Sequence, residues 1–232
     1  MCEQTGGGAM DRDLGRKLIA EFIGTFALIF MGVGAVIVGS GIVGVALAHG
    51  LAIALMVTAL GHISGGVFNP AISIALWATR RLPTAIAILY IVAQLAGGAA
   101  GAAALLSFPA ALRDVANGVP NLNGIDFGAG VLIEAILTFF LVIAVFGNAI
   151  DTRGPRLGGF GIGLVITMDI LAGGRLTGAA MNPARAFGPE LIFGDWSNAL
   201  VYWIGPIIGA VLAALVYHYI FLDDEQRSQA AA

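Results

Sequence analysis

The chain has 232 residues, 59% of them hydrophobic and 11% charged, with a formal net charge of -3. A water-soluble domain carries about 25% charged residues, so this composition excludes a globule wetted on all sides and points to several bilayer crossings. With no basic stripe and no aromatic residues interleaved with basic ones, nucleic acid is excluded as a partner.

The first 17 residues are polar and Gly-rich and end in Arg16-Lys17; the lone cysteine, Cys2, has no internal disulfide partner. The apolar run that follows reaches about Val38, long enough to span and too long for a cleaved leader. Further spans are predicted at about 42–60, 84–106, 128–150, 159–173 and 199–221, since about 20 residues of helix cross a hydrocarbon core. The fifth run is short, so its helix is expected to begin before Gly159 or to tilt. Small residues such as those of Gly97-Gly98-Ala99-Ala100-Gly101 let membrane helices approach closely. The segments 1–13 and 223–232 are expected to be flexible.

Two apolar runs are too short to span. Asn69 to Thr79 ends at Arg80-Arg81, and Asn182 to Phe193 ends at Gly194-Asp195. Each is about 16 Å of helix, half a membrane. Each opens on Asn-Pro-Ala (Asn69-Pro70-Ala71, Asn182-Pro183-Ala184) after a Gly-rich run. Glu21 precedes Asn69 by 48 positions, and Glu134 precedes Asn182 by the same 48. The chain is therefore a single domain of two copies, about 14–106 and 127–222, each with three spans and one half-span. An odd number of spans inserts the second copy upside down. Arg12, Arg16, Lys17, Arg80, Arg81, Arg153, Arg156 and Arg227 then share one side, against Arg113 and Arg175 on the other. That excess predicts cytoplasmic termini.

The half-helices meet N-terminus to N-terminus. Proline suits a first helical position and asparagine a cap. Each N-terminus carries about half a positive charge, so the junction repels cations, protons included. The amides of Asn69 and Asn182 are expected to donate to a passing molecule. Non-helical backbone at this depth survives only if buried in protein or lining a watery cavity. Carbonyls of Ser64, Gly65, Gly66 and Val67, and of Thr177, Gly178, Ala179 and Ala180, are expected to line that path. Glu21 and Glu134 are acids within spans, which reads as functional.

These motifs resemble the aquaporins of the major intrinsic protein family. The resemblance runs from about Leu18 to Phe221. Its most specific stretches are Gly61-His62-Ile63-Ser64-Gly65-Gly66-Val67-Phe68-Asn69-Pro70-Ala71 and Met181-Asn182-Pro183-Ala184-Arg185-Ala186-Phe187-Gly188-Pro189. It implies an all-α membrane fold of six helices and two re-entrant half-helices, a homotetramer in the lipid bilayer, and one pore per subunit. It also implies that each span glutamate holds the loop of its own repeat. Selectivity would come from pore width, lining groups, an arginine and the half-helix dipoles.

By the same resemblance the filter is His49, Ile170, Ala179 and Arg185. Water-selective members usually carry Phe and His where this chain has His49 and Ile170. The present set is similar to that of plant vacuolar aquaporins, and ammonia is expected to pass as well as water. Glycerol facilitators usually carry Asp at the position of Ala186 and lack the aromatic pair seen here as Tyr202-Trp203, which leaves a glycerol or urea facilitator the weaker reading.

His62 is expected to line the cytoplasmic half of the pore, His218 to lie at the interface beside Tyr217 and Tyr219, and Arg175 to be a solvated mouth residue. Asp169 has three open readings: paired with an arginine, bonded to an amide, or protonated. It alone favours a proton-coupled transporter, and a structural role in membrane contacts is a third class. No metal spacing, nucleophile with a base, or phosphate loop occurs, so neither enzyme activity nor a cofactor is expected. The expected location is a bacterial-type cell membrane.

Overall fold

The computed structural model describes residues 6–155 and 157–228. Cys2 and Arg156 lie outside them. The helices are α1 (Gly6–Ile37), α2 (Gly41–Ser64), α3 (Pro70–Ala78), α4 (Thr84–Ala104), α5 (Ala110–Arg113), α6 (Phe127–Val145), α7 (Gly159–Thr177), α8 (Pro183–Phe193), α9 (Ala199–Val216) and α10 (Asp224–Ser228). A 3₁₀ turn extends α4 through Ser107, and π turns extend α6 to Ile150 and α9 to Phe221. Six of these helices are long and apolar enough to cross a membrane.

Two sequence-based bounds shift. The fifth span begins at Gly159, not before it, and gains its length at the other end by running to Thr177. The Gly-rich runs are likewise mostly helical: α2 and α7 absorb them as far as Ser64 and Thr177. Gly65 (φ 92°) and Gly178 (φ 84°) then end these helices in the left-handed conformation. Their N–H groups donate to the carbonyls of Gly61 and Gly174, which satisfies orphan carbonyls of the last turn.

The half-helices start as the sequence predicts. The Asn69 side chain accepts from the Ala71 N–H at 2.9 Å, and Asn182 from the Ala184 N–H at 2.9 Å. Each half-helix packs chiefly on the last span of the other repeat, α3 on α9 and α8 on α4. The two copies are interlocked rather than side by side.

Glycines set the closest approaches. α6 and α9 share the most extensive packing. A Cβ at Gly209 would lie 2.9 Å from the Ala135 Cα, and one at Gly205 would lie 2.8 Å from the Val131 carbonyl oxygen. Backbone meets backbone there, so a side chain has no flexible neighbour to push aside. Gly209→Val is therefore expected to lower the thermal unfolding temperature in detergent sharply. Leu212→Val, at a half-exposed position on the same helix, should leave it unchanged.

Of the segment 223–232, expected to be flexible, the described part, 223–228, is docked instead. Gln226 is buried, and its Nε2 donates to Asp151 Oδ1 at 3.0 Å and Thr152 Oγ1 at 3.1 Å. Arg153 donates to both Asp151 oxygens at 2.9 and 2.8 Å and to the Phe221 carbonyl. The reason is local: buried Leu222 and Gln226 sit on a polar loop that supplies partners. Arg153 holds the Asp151 carboxyl well below the usual carboxylate range. A depressed folded-state pKa gives stability that is present above the unfolded value, about 4, and lost as pH falls through the folded value. Proteolysis of the tail should therefore not change between neutral pH and pH 5, and should rise only under stronger acid.

Candidate functional site

Residues 65–69 and 178–182 leave α2 and α7 and run to the starts of α3 and α8. They are strained at matching positions. Phe68 (φ 48°) and Met181 (φ 52°) both hold the left-handed region, as does Ala179 (φ 44°). Such a conformation costs about 1–2 kcal/mol in an L-residue, so something must hold it.

Two buried carboxylates do. Glu21 accepts from the Ser64 hydroxyl (2.6 Å), the Val67 N–H (3.0 Å), the Phe68 N–H (2.7 Å) and Gln94 Nε2 (2.8 Å). Glu134 accepts from the Thr177 hydroxyl (2.6 Å), the Ala180 N–H (2.9 Å) and the Met181 N–H (2.7 Å). Both side chains are fully buried. Gln94 is the departure from symmetry, since Glu134 has no side-chain amide donor among the described residues.

The two loops are also tied to each other. Asn69 Nδ2 donates to the Met181 carbonyl at 2.9 Å, and Asn182 Nδ2 donates to the Phe68 carbonyl at 2.9 Å. Each amide thus commits one hydrogen across the junction and keeps one for another acceptor.

A cavity of about 260 Å³ passes this junction. His49, Ile170, Ala179 and Arg185 all line it, with Asn69 and Asn182. His49 Nδ1 donates to the Val45 carbonyl at 2.9 Å, and its Nε2 has no protein partner. A Cβ on Gly32 would fall among the imidazole atoms, so Gly32 provides the space for that ring. Arg185 is buried, and its Nη1 donates to the Gly118 carbonyl at 2.9 Å while Nε has no partner. Gly118 belongs to the long loop between α4 and α6, which therefore reaches inward to the arginine. Ser64, Gly65, Gly66, Val67 and Ala180 line the cavity too.

Three expectations, for Thr177, Gly178 and His62, need correction. Thr177 and Gly178 do not line the cavity. The Thr177 hydroxyl is committed to Glu134 and its carbonyl accepts from the Tyr202 hydroxyl at 2.8 Å, while the site of a Gly178 Cβ faces Pro120. The Ser64 carbonyl likewise accepts from the Tyr90 hydroxyl at 2.8 Å, so its acceptor capacity is shared. His62 is exposed on the outer flank with Asp13 and Arg16, away from the cavity, because its position on α2 turns it from the face that carries His49. His218 is buried in the terminal turn of the last span, between Tyr217 and Tyr219. Arg175 is exposed, and its carbonyl accepts from Asn123. Asp169 is buried, and its Oδ2 has no hydrogen-bond partner; neither an arginine nor an amide meets that oxygen.

Sequence reading missed Tyr90, Gln94 and Gly118, and took Tyr202 only as half of an aromatic pair, without its bond to the loop. Two signals were present. Tyr90 follows Asn69 by 21 positions and Tyr202 follows Asn182 by 20, a near-repeat. Gln94 is a polar residue inside an apolar span, where function is the default reading. Nothing local marks Gly118.

Residues 9–217 match the family model described as Major intrinsic protein. The chain is 44% identical to Aquaporin TIP4-4 of Zea mays, over 92% of this chain and 90% of that one. It is 40% identical to Probable aquaporin TIP3-2 of Arabidopsis thaliana, over 89% and 84%. To Aquaporin-4 of Mus musculus it is 39% identical, over 90% and 68%. Among solved structures it shares the fold of the aquaglyceroporin from Plasmodium falciparum, with a TM-score of 0.80, at 22% identity and covering 93% of this chain and 99% of that one.

Proposed function

From the premise that this chain belongs to the major intrinsic protein family, and is a membrane channel rather than an enzyme, we propose that it conducts water and ammonia passively. The proposed path is the cavity past Asn69 and Asn182. The observation that carries this reading is the pair of crossed amides at the meeting of two half-helix N-termini, inside one lined cavity. Neutral solutes with an oxygen or nitrogen lone pair accept the remaining amide hydrogens. Cations meet two positive helix ends and the buried Arg185 on one path, while the oxygens of Glu21 and Glu134 are turned to loop donors rather than to the cavity.

The proposed filter is His49, Ile170, Ala179 and Arg185. Ile170 presents an apolar wall where a second donor would favour water strictly, and this supports the wider solute range. Glycerol is the weaker reading: the residue directly after Arg185 is Ala186, buried in one apolar cluster with Tyr202, and not an aspartate. The face carrying the termini, with Arg80, Arg81, Arg153 and Arg227, is proposed to be cytoplasmic. A homotetramer is proposed to cover part of the apolar outer surface, with lipid covering the rest.

Purified protein in vesicles tests the reading. Fast osmotic water flow and ammonia-driven internal alkalinisation are expected, with glycerol flux near that of empty vesicles. Water flow with ammonia flux no greater than in empty vesicles would refute the wider range.

A further inference from the structure

The cavity does not end at the half-helix junction. Towards the face that carries the termini it is walled by Leu76, Leu82, Val145 and Ile150. Among the described residues, the one charged side chain lining this apolar stretch is Arg81. We infer that Arg81 is a second solute-contacting arginine, at the mouth opposite Arg185, and that the C-terminal segment positions it. This rests on the channel reading given above.

The two arginines are held alike. Arg185 spends Nη1 on the carbonyl of Gly118, and Arg81 spends Nη2 on the carbonyl of Gln226 at 3.1 Å. In both, Nε is buried and has no protein partner. Nε is closed to solvent, but each side chain lines the cavity, so the fork atoms not spent on a carbonyl are where a water or other small acceptor is met. The Arg81 guanidinium also lies over the Phe146 ring, 5.8 Å from its centroid, which keeps the plane of the fork at the rim.

The carbonyl that holds Arg81 is itself placed by side-chain bonds. Gln226 Nε2 is tied to Asp151 and Thr152 on the loop after α6. Three segments distant in sequence, the turn after α3, the loop after α6 and the tail, thus converge on one arginine. Gln226 is a positioning residue: it touches no solute and acts through Arg81. Without these donors the entering water file would face only aliphatic side chains, which favours dewetting of the mouth.

The test is stopped-flow water permeability of reconstituted full-length channels, normalised to the protein incorporated. Arg81→Leu is expected to lower it by at least about threefold, the rate factor of one ordinary hydrogen bond. Arg81→Lys should lower it less, since a charged donor remains without the fixed fork. Gln226→Ala should lower permeability in the native background and have no further effect beside Arg81→Leu. If Arg81→Leu does not fold, Arg81→Lys serves as the second background, and the effect of Gln226→Ala should shrink there. Native-level flow in Arg81→Leu, or an undiminished effect of Gln226→Ala in the Arg81 variants, would overturn the inference while leaving the channel reading intact. A native chain with no flow above empty vesicles would overturn both.

Discussion

Glu21→Ala is expected to abolish water conduction and to leave little folded channel. Four donors lose their acceptor at once: the Ser64 hydroxyl, the Val67 and Phe68 N–H groups and the Gln94 amide. The Ser64 hydroxyl can rotate and Gln94 can turn to Ser73, which it already reaches at 3.0 Å. The two backbone N–H groups cannot move without releasing the left-handed conformation of Phe68. Each buried donor left unmade costs about 1–3 kcal/mol, so the two N–H groups cost about 2–6 kcal/mol, a large share of the about 5–15 kcal/mol by which many domains are stable. Glu21→Gln should be intermediate, because an amide keeps one acceptor and turns a donor on the loop. Glu134→Ala should behave like Glu21→Ala with a slightly smaller cost, having three donors to orphan instead of four. Thermal unfolding in detergent and vesicle water flow measure these effects. Native-like unfolding for Glu21→Ala would show that the loop is held by packing alone.

Exchanging two lining residues, His49→Phe with Ile170→His, is expected to cut ammonia flux about tenfold, the scale at which a pocket discriminates by one small group. Water flow should fall far less. The reasons lie in the two sites. Phenylalanine at 49 loses the bond to the Val45 carbonyl and must fit the space left by Gly32. Histidine at 170 puts a polar ring where an aliphatic wall stands beside Arg185. The constriction becomes narrower and more strongly hydrogen-bonding, which suits water over ammonia. His49→Phe alone should narrow the path, whereas Ile170→His alone should change polarity with little change in width. Measuring water, ammonia and glycerol in the same vesicles separates the two effects. Equal loss of water and ammonia would assign the filter elsewhere along the cavity.

Asp169 illustrates a limit of reading by residue type. An acid beside Ile170 in a span suggested a transporter, a salt bridge or a protonated group. Among the described residues no arginine pairs with it, and Oδ2 has no hydrogen-bond partner. Proton coupling needs a relay with a second exchanging group, and Glu134, in the same repeat, is committed to three loop donors.

Much of this protein was determined by sequence alone, and for identifiable reasons. Hydropathy placed six spans because each must exceed the bilayer core in length. The two Asn-Pro-Ala turns and the paired glutamates, 48 positions apart in each copy, revealed an inverted repeat because symmetry leaves a periodic trace. Half-helix starts were legible because proline and an asparagine cap act within one turn. What only the tertiary structure decided depends on contacts between distant segments. The crossing of Asn69 to Met181 and Asn182 to Phe68 joins residues more than a hundred positions apart. The reach of Gly118 to Arg185, the turning of His62 away from the cavity and the docking of Gln226 on Asp151 and Arg81 have no local signature. Each follows from which helix face packs inward and which loop folds back, and a one-dimensional pattern does not encode that choice by spacing.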